Sequence, residues 1–451
     1  MKYSEFLSKK QFDNPQNGLS IIPELSPFLF DFQKAIVRWA LRRGRAAIFA
    51  DCGMGKTIMQ LEWAKCIPGR VLIAAPLAVS GQTEKEGIKF GIPVKYLRQD
   101  DKKTQIVITN YEMLEYFNPD DFDGVVLDES SILKSYTGKI RTFIIEHWGK
   151  VKFRLAATAT PAPNDYMELG NHAEFLGSMT TSEMLSMFFV HDGGETQKWR
   201  LKGHAEDDFW KWICNWAVMI RKPSDLGFDN GNFILPSCHI RDIIVRDQSW
   251  SDNMLFPMQA ATLIERLDAR RRTIKERVKK CADLANASNQ PRLIWCNLNS
   301  ESEAIRKAVK DSVEVKGSDS FEIKEDRLIG FSEGKYRVLV TKASIAGFGM
   351  NWQHCNEMDF VGLSDSYEQF YQSIRRCWRF GQKKEVFANV ITADTEGAVT
   401  SNIKRKERES SVMAEKMVKN MKDISSSEIR GTVKSVNKYQ PKQQIKLPSF
   451  L

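Results

Sequence analysis

Short apolar runs that alternate with helical patterns occupy two stretches of the chain. In the first stretch, from about 30 to 235, the strand-like runs are 46–50, 70–76, 105–110, 124–129 and 153–160. In the second, from about 285 to 395, they are 292–297, 336–342, 357–363 and 387–393. Strands that are apolar on both faces are typical of parallel sheets covered by helices. The pattern predicts an α/β protein with two tandem parallel-sheet lobes.

Helical patterns separate these runs, at 57–67 in the first stretch and at 300–310 and 366–380 in the second. A charged helical pattern at 263–287 predicts a linker between the two lobes or a helix that spans them. Residues 178–222 are rich in Met and Trp and predict an insertion after the first sheet. Its tryptophans could stack on bases, but their spacing favours core packing; they are Trp199, Trp210, Trp212 and Trp216.

These patterns divide the chain into five parts. The predicted parts are an N-terminal segment whose role the sequence does not indicate, a first lobe with its insertion, linker helices, a second lobe and a basic tail. Their bounds are 1–27, 28–235 (insertion about 178–222), 236–287, 288–400 and 401–451.

Composition narrows the class of protein. Hydrophobic residues make up 42% and charged residues 27% of the 451 residues, as in an ordinary globular protein. No run of 18 apolar residues occurs, and the N-terminus lacks the apolar core of a signal peptide. The eight cysteines form no CxxC pair and no Cys/His group with zinc spacing. We therefore expect a cytoplasmic protein, with no membrane association and with reduced thiols in its core.

The positive charge is concentrated at the C-terminus. Residues 401–451 contain twelve Lys and Arg against five Asp and Glu, so they carry +7 of the net +9. A basic segment on a near-neutral body suggests a polyanionic partner, most often nucleic acid. A tail that serves solubility alone would have the same composition.

The clearest local signal lies at 50–57, Ala-Asp-Cys-Gly-Met-Gly-Lys-Thr, between a strand and a helix pattern. Gly53 and Gly55 allow backbone N–H groups to close around phosphate oxygens, and the helix N-terminus that follows attracts negative charge. In this pattern Lys56 reaches the β and γ phosphates and Thr57 ligates Mg²⁺. Ala50 stands where the pattern has its first glycine. The sequence predicts a site for ATP and Mg²⁺.

A phosphate-binding loop needs acidic partners on a neighbouring strand. The apolar run 124–129 ends in Asp128 and Glu129. We expect Asp128 to hold Mg²⁺ and Glu129 to orient and activate the attacking water.

The order of these motifs resembles superfamily 2 helicases, and in particular their Swi/Snf-type branch, which implies two RecA-like lobes with an ATP cleft between them. Gln33 resembles the family's adenine-reading glutamine, 158–161 resembles motif III, and 346–351 resembles motif V, with Gly349 and Asn351 as implied nucleotide contacts. Residues 372–382 resemble motif VI, QxxxRxxRxGQ.

Motif VI places Arg376 and Arg379 on the two family arginines. Residues three apart on a helix share a face, so both guanidinium groups are predicted to point at one γ-phosphate across the cleft. The resemblance also implies DNA contacts in motifs Ia, Ib, IV and the second lobe, at Pro76, Thr109, Asn110, Asn297, Thr341 and Lys342.

The resemblance implies an ATP-hydrolysing DNA helicase that unwinds or branch-migrates forked and junction DNA in replication, recombination or repair. Motif II departs from the family, with Ser130 and Ser131 where Ala-Asp, Ala-His or Ser-His is usual. The compact chain resembles phage-encoded branch-migration helicases. We expect a monomer in a bacterial or phage-infected cytoplasm, with a nuclease or a replication or recombination protein as a partner left open.

Alternative functions are open at this point. A duplex translocase that does not separate strands has the same motifs. An RNA helicase of the commonest type would carry DEAD at motif II, and this chain does not. A DNA-binding scaffold with an inactive ATPase would have no need of the intact Lys56, Asp128 and Glu129.

Overall fold

The structure is a computed structural model that describes residues 17–134, 138–191, 199–246, 263–346 and 350–429. In the first lobe, seven strands form one sheet in which every pair is parallel, in the order β3-β4-β2-β5-β6-β1-β9. The strands are β1 (Arg45–Ala50), β2 (Val71–Ala75), β3 (Lys95–Tyr96), β4 (Ile106–Asn110), β5 (Gly124–Asp128), β6 (Phe153–Thr158) and β9 (Ala217–Ile220). A separate antiparallel hairpin consists of β7 (Phe189–His191) and β8 (Trp199–Leu201).

Helices cover the first sheet. They are α1 (Asp31–Arg43), α2 (Lys56–Cys66), α3 (Leu77–Lys89), α4 (Lys139–Phe143), α5 (Glu168–Leu176), α6 (Thr181–Phe188) and α7 (Glu206–Trp216). The local sequence explains their ends: α6, for example, begins after Thr180, whose hydroxyl accepts the N–H of Glu183 in a reciprocal capping box. All five strands predicted for this lobe are present, and the predicted helix 57–67 corresponds to α2.

The second lobe has a six-stranded sheet, again parallel throughout, in the order β10-β15-β14-β11-β13-β12. Its strands are β10 (Cys238–Val245), β11 (Arg292–Cys296), β12 (Ser312–Glu314), β13 (Val338–Lys342), β14 (Glu357–Val361) and β15 (Val386–Ala393). Its helices are α8 (Leu263–Arg272), α9 (Ile274–Asn286), α10 (Asn299–Ala308), α11 (Phe321–Ser332), α12 (Ala343–Ala346), α13 (Tyr367–Ile374) and α14 (Gly397–Ile429). The four strands predicted for this stretch are present.

Residues 236–287, predicted as linker helices, contain a strand of the second sheet. β10 pairs in register with β15 along its whole length. It lies at the edge of the sheet and most of its residues are exposed or half-buried, so it lacks the apolar run that marks a buried strand. The helical part of the prediction corresponds to α8 and α9.

The C-terminal segment, predicted as a basic tail from 401 to 451, is a helix as far as Ile429, and this helix packs against both lobes between Val399 and Met421. α14 begins in the second lobe, where Val399 and Ile403 join the core. It then crosses to the first lobe, where Met413, Met417 and Met421 are buried among the residues of that core. An apolar residue at every fourth position forms one helix face, so this part is not a free tail. Residues 430–451 lie outside the described residues.

The tryptophans of residues 178–222 pack as the sequence predicts, but 217–220 of this stretch form β9, a strand of the first sheet and not part of an insertion. Trp210, Trp212 and Trp216 on α7 are buried in the first core, and Trp199 on β8 is partly buried against it. These side chains therefore serve core packing.

The eight cysteines are free thiols, and all but the half-buried Cys238 are buried. Burial raises the pKa of the Cys66 thiol to about 11, which keeps it protonated. Among the described residues, no helix is both long and apolar enough to span a membrane.

Candidate nucleotide site between the two lobes

Two glycines shape the loop between β1 and α2. Gly53 and Gly55 have φ angles of +89° and +79°, a conformation that residues with a Cβ rarely adopt. A Cβ on Gly53 would lie 2.9 Å from the backbone N of Phe380, and one on Gly55 would lie 2.3 Å from Gln33 Nε2. α2 begins immediately afterwards, at Lys56, so its unpaired N–H groups face the loop. The backbone therefore has the form that binds phosphate.

Ala50 stands where the phosphate-loop pattern has its first glycine, and its backbone does not need a glycine. It is the last residue of β1, is fully buried and does not have a positive φ angle. Its carbonyl accepts a hydrogen bond from Lys56 Nζ at 3.0 Å. An extended strand end needs no glycine, and the lysine is held over the loop.

The acidic pair lies at the end of β5, beside β6 in the sheet. Asp128 is buried and Oδ1 accepts from Gln60 Nε2 at 2.7 Å. Glu129 follows with a φ of +55°, in the left-handed region, and its Oε2 accepts from Thr158 Oγ1 at 3.1 Å. A left-handed non-glycine residue at this point is a sign of a functional constraint.

Burial raises the pKa of both carboxyl groups, and nearby Lys56 opposes the shift in each case. For Asp128 the hydrogen bond from Gln60 also opposes it, while the neighbouring Asp128 raises the pKa of Glu129 further. A carboxylate whose pKa is raised is a better proton acceptor, which suits a general base.

The second lobe contributes Arg376 and Arg379 to the same place. The helix predicted at 366–380 ends at Ile374, where the chain turns. Arg376 and Arg379 therefore lie beyond the end of α13, and the prediction that they share a helix face is wrong. They converge because the turn folds back towards residues 350 and 351. Arg376 Nη1 donates to Met350 O at 3.2 Å, and Arg379 Nη1 donates to Asn351 Oδ1.

One cavity of about 400 Å³ joins the two lobes. This volume lies in the range of ligand sites. Predicted site residues from both lobes line it: Gln33, Gly53, Gly55, Lys56, Thr57, Asp128, Glu129, Asn351, Arg376 and Arg379. Gly349, the remaining predicted nucleotide contact, lies outside the described residues.

The charges in this cavity fit a polyphosphate and a divalent cation. Burial and the neighbouring Arg376 together lower the pKa of Arg379 to about 10. Arg379 Nε is buried and has no hydrogen-bond partner in the structure. Two cations side by side, of which Arg376 is buried and Arg379 half-buried, are costly unless an anion lies between them. On the opposite wall, the Thr57 hydroxyl and the Asp128 carboxylate are the oxygen donors that Mg²⁺ prefers.

Gln33 has a structural function in addition to its predicted one. Its Oε1 accepts the N–H of Phe30 at 2.9 Å, and its Nε2 donates to Met54 O at 2.9 Å. It thereby fixes the start of α1 to the phosphate loop. Its role in reading adenine stays a prediction.

The sequence analysis missed an aromatic group at the cavity. Its members come from distant parts of the chain: Phe28, Phe30, Phe90, Phe233 and Phe380. The Phe233 and Phe380 ring centroids are 4.7 Å apart, so the group itself links the two lobes. In the sequence the available signal was the position of Phe28 and Phe30, a few residues before Gln33; both side chains are exposed in the structure.

The predicted DNA contacts lie at the carboxyl ends of β2, β4, β11 and β13. The Thr109 and Thr341 side chains are fully buried, and Thr341 Oγ1 donates to Val315 O at 3.3 Å. Asn110 is also buried and bonded to Tyr96 and Glu112. These three side chains are packed at the ends of their strands, and their contact with DNA stays a prediction. Pro76, Asn297 and Lys342 are half-buried, and their contact with DNA stays a prediction.

No protein-family model and no curated protein matches the sequence. The chain is similar in structure to a fragment described as an HsdR subunit of a type I restriction enzyme from Vibrio vulnificus YJ016. The TM-score is 0.52, with 15% identity over 89% of this chain and 70% of that one. It is also similar to the SWI2/SNF2 ATPase core of Sulfolobus solfataricus in complex with dsDNA, with a TM-score of 0.42 and 18% identity over 94% of this chain and 99% of that one. The first similarity and the two parallel sheets confirm the predicted fold, two tandem RecA-like lobes.

Proposed function

We propose that this protein is an ATP-hydrolysing motor that moves on DNA. The observation that carries the proposal is the shared cavity, in which Lys56, Asp128 and Glu129 of one lobe face Arg376 and Arg379 of the other. Because the site is divided between two lobes, the rate of hydrolysis depends on the position of one lobe relative to the other. Such a division suits an enzyme that converts ATP turnover into movement.

In this proposal the phosphate loop and Lys56 bind the β and γ phosphates of ATP. Thr57 and Asp128 would hold Mg²⁺, which neutralises phosphate charge when bound. Glu129 orients the attacking water and accepts its proton, and the Thr158 hydroxyl fixes the carboxylate for that role.

Arg376 and Arg379 stabilise the charge that develops on the transferred phosphoryl group. An arginine in this role contributes roughly 10³–10⁵ to the rate. Because both arginines belong to the second lobe, hydrolysis requires the lobes to be closed, and the release of products allows them to separate. Each cycle would then shift one lobe against the other along a nucleic-acid backbone.

DNA is the proposed partner. Pro76, Asn297 and Lys342 follow or end strands at the carboxyl edges of the two sheets, where ligands of open α/β sheets bind. Contacts at such an edge address phosphates, so binding should be tolerant of sequence and should weaken with salt. A restriction-enzyme subunit shares the fold, which makes DNA the first substrate to test. A monomer and a cytoplasmic location stay predictions.

The finer proposal is that the protein unwinds or branch-migrates forked and junction DNA, as the resemblance to phage-encoded helicases implies. The alternative is a translocase that follows duplex DNA without separating its strands, which the resemblance of motif VI to the Swi/Snf branch favours. The chemistry at the cavity is the same in both cases.

The test is ATP turnover with single-stranded, duplex, forked and four-way junction DNA, with RNA as the control. Strongest stimulation by forks or junctions, with separated strands as products, is expected for a helicase. Equal stimulation by plain duplex without separated products would identify a translocase. Turnover that no DNA stimulates would refute the proposal.

A further inference from the structure

One face of α13 in the second lobe is docked on the first lobe. Glu368, Tyr371 and Arg375, at the spacing i, i+3 and i+7, share this face, with Arg375 just after the helix end. Arg375 forms an ion pair with Asp51 of the phosphate loop and donates to Cys52 O at 3.3 Å. The Tyr371 hydroxyl donates to the same Asp51. This half of the face therefore holds the loop that precedes Lys56.

Glu368 contacts a different part of the first lobe. It is 4% exposed and accepts hydrogen bonds from Ser131 Oγ and, at 3.5 Å, from Thr160 Oγ1. It also forms an ion pair with Lys134. All three partners belong to the first lobe, so every one of these contacts is lost if the lobes separate. A buried carboxylate is stable only where such partners surround it.

A short chain of hydrogen bonds connects Glu368 with Glu129. Thr160, which donates to Glu368, also donates its backbone N–H to Thr158 Oγ1 at 3.1 Å. The Thr158 hydroxyl in turn donates to Glu129 Oε2 at 3.1 Å. Ser131 lies two residues after Glu129, whose left-handed backbone requires support from its surroundings. Both routes lead from the second lobe to the carboxylate proposed to activate water.

We infer that Glu368 is a positioning residue that sets the orientation of Glu129 only when the two lobes are closed. Glu368 does not touch the nucleotide cavity, and it acts through Ser131 and through the Thr160–Thr158 pair. The inference rests on the proposed function, since it assigns Glu129 to ATP hydrolysis. It makes the water-activating group, like Arg376 and Arg379, dependent on lobe closure.

The inference also bears on one departure in motif II, the serine at 131, where the family usually has Asp or His. Ser131 donates a hydrogen bond to the Glu368 carboxylate. An aspartate at 131 would place a second carboxylate against Glu368 and repel it. The serine and Glu368 are therefore matched to each other across the lobe boundary.

The test compares Glu368→Gln, Ser131→Ala and the double variant in steady-state ATP hydrolysis with DNA. Glutamine keeps the size of the side chain but loses its charge, so it loses the ion pair with Lys134 and accepts more weakly from Ser131 and Thr160. We expect kcat to fall roughly 10- to 100-fold in Glu368→Gln while KM for ATP changes less than about threefold. The double variant should be about as slow as Glu368→Gln alone, because both changes weaken the same connection between Glu368 and Ser131.

Gln369→Ala is the matched control, since Gln369 on the same helix bonds Ser364 within the second lobe. A wild-type kcat is expected for it. Hydrogen exchange without nucleotide is the second readout: Glu368→Gln should speed exchange in peptides that cover 130–134 and 367–375, with the rest of the chain unchanged.

An unchanged kcat in Glu368→Gln, a defect confined to KM, or unchanged exchange in both peptides would overturn the inference. If wild-type turnover is not stimulated by DNA, the proposed function fails, but the basal kcat of Glu368→Gln still tests the role of Glu368. The two failures are therefore distinguishable.

Discussion

Charged side chains occupy different places in the two lobes. The central strands of the first sheet, such as β2 and β5, are apolar until they reach the carboxyl edge, where Asp128 and Glu129 stand. In the second sheet Arg292, Asp359 and Asn389 lie on three neighbouring strands and are all buried. Arg292 Nη1 is 2.8 Å from Asp359 Oδ1, and Asn389 Nδ2 donates to the same oxygen at 2.7 Å.

A second buried ionic group supports the helices of the second lobe. Arg277 on α9 and Glu301 on α10 are both fully buried, with Nη1 and Oε1 2.6 Å apart. Arg270 on α8 pairs with Glu396 at 3.1 Å. In the first lobe the buried Arg154 donates instead to a carbonyl, that of Phe175, and burial lowers its pKa to about 9.

The two lobes therefore use charged side chains for different purposes. Charges at the edge of the first lobe face the nucleotide cavity, so their removal should reduce catalysis and leave the fold intact. Charges inside the second lobe are buried in pairs, so the removal of one partner leaves the other uncompensated and should reduce stability.

The largest effect is expected from Lys56→Ala. ATP turnover should fall by about 10³-fold or more, because the phosphates lose their cation and the arginines alone cannot replace it. The free energy of unfolding should change by less than about 1 kcal/mol, since Lys56 is half-buried at the cavity. Turnover and urea unfolding are measured together, with Lys150→Ala, an exposed lysine of the first lobe that does not line the cavity, as the control. Normal turnover in Lys56→Ala would sink the site assignment.

The next effect is on stability and concerns the second lobe. Asp359→Ala should lower the free energy of unfolding by about 3 kcal/mol, because the buried Arg292 keeps only the half-buried Glu357 as a partner and Asn389 loses its acceptor. Ile73→Val, in the apolar β2 of the first lobe, should cost only about 0.5–1.5 kcal/mol. Urea unfolding followed by circular dichroism measures both. If the two variants lost the same free energy of unfolding, the buried ion pairs of the second lobe would contribute no more to stability than the apolar strands of the first.

The smallest predicted effect concerns pH and the first lobe. Burial lowers the pKa of His172 to about 4 from its ordinary 6.5, and the ring is held between Ser130 Oγ at 3.1 Å and Glu168 O. The unfolded chain then binds a proton that the folded chain does not. The stability that neutral His172 provides is complete above pH 6.5 and is lost as the pH falls towards 4.

Between pH 7 and pH 5 this loss should amount to about 2 kcal/mol. The measurement is the difference in free energy of unfolding between wild type and His172→Gln at the two pH values, which should shift in favour of the variant at pH 5. Glu168 has the opposite effect on the pH dependence of stability. Burial raises its pKa to about 7, so the folded chain binds a proton that the unfolded chain does not, and this contribution to stability grows as the pH falls. Glu168→Gln is therefore the control. A difference that does not depend on pH would contradict the assignment to His172.

Much of the fold was predictable because its signals are local. Nine strands were identified from apolar runs, and the phosphate loop from glycines and a lysine at fixed spacing, since these patterns depend only on neighbouring residues. β10 was missed because an exposed edge strand has no apolar run. The packed α14 was missed although Met413, Met417 and Met421 follow a helical spacing, because the basic residues between them dominated the composition.

The sequence by itself determined the parallel sheets, the phosphate loop and the residue types of the nucleotide site, because each depends on a short stretch of chain. Only the tertiary structure decided which of these residues meet. Arg375 reaches Asp51, and Glu368 reaches Ser131, across the boundary between the lobes. No local pattern pairs residues this far apart, because the contact depends on how the two sheets pack and where the chain turns after Ile374.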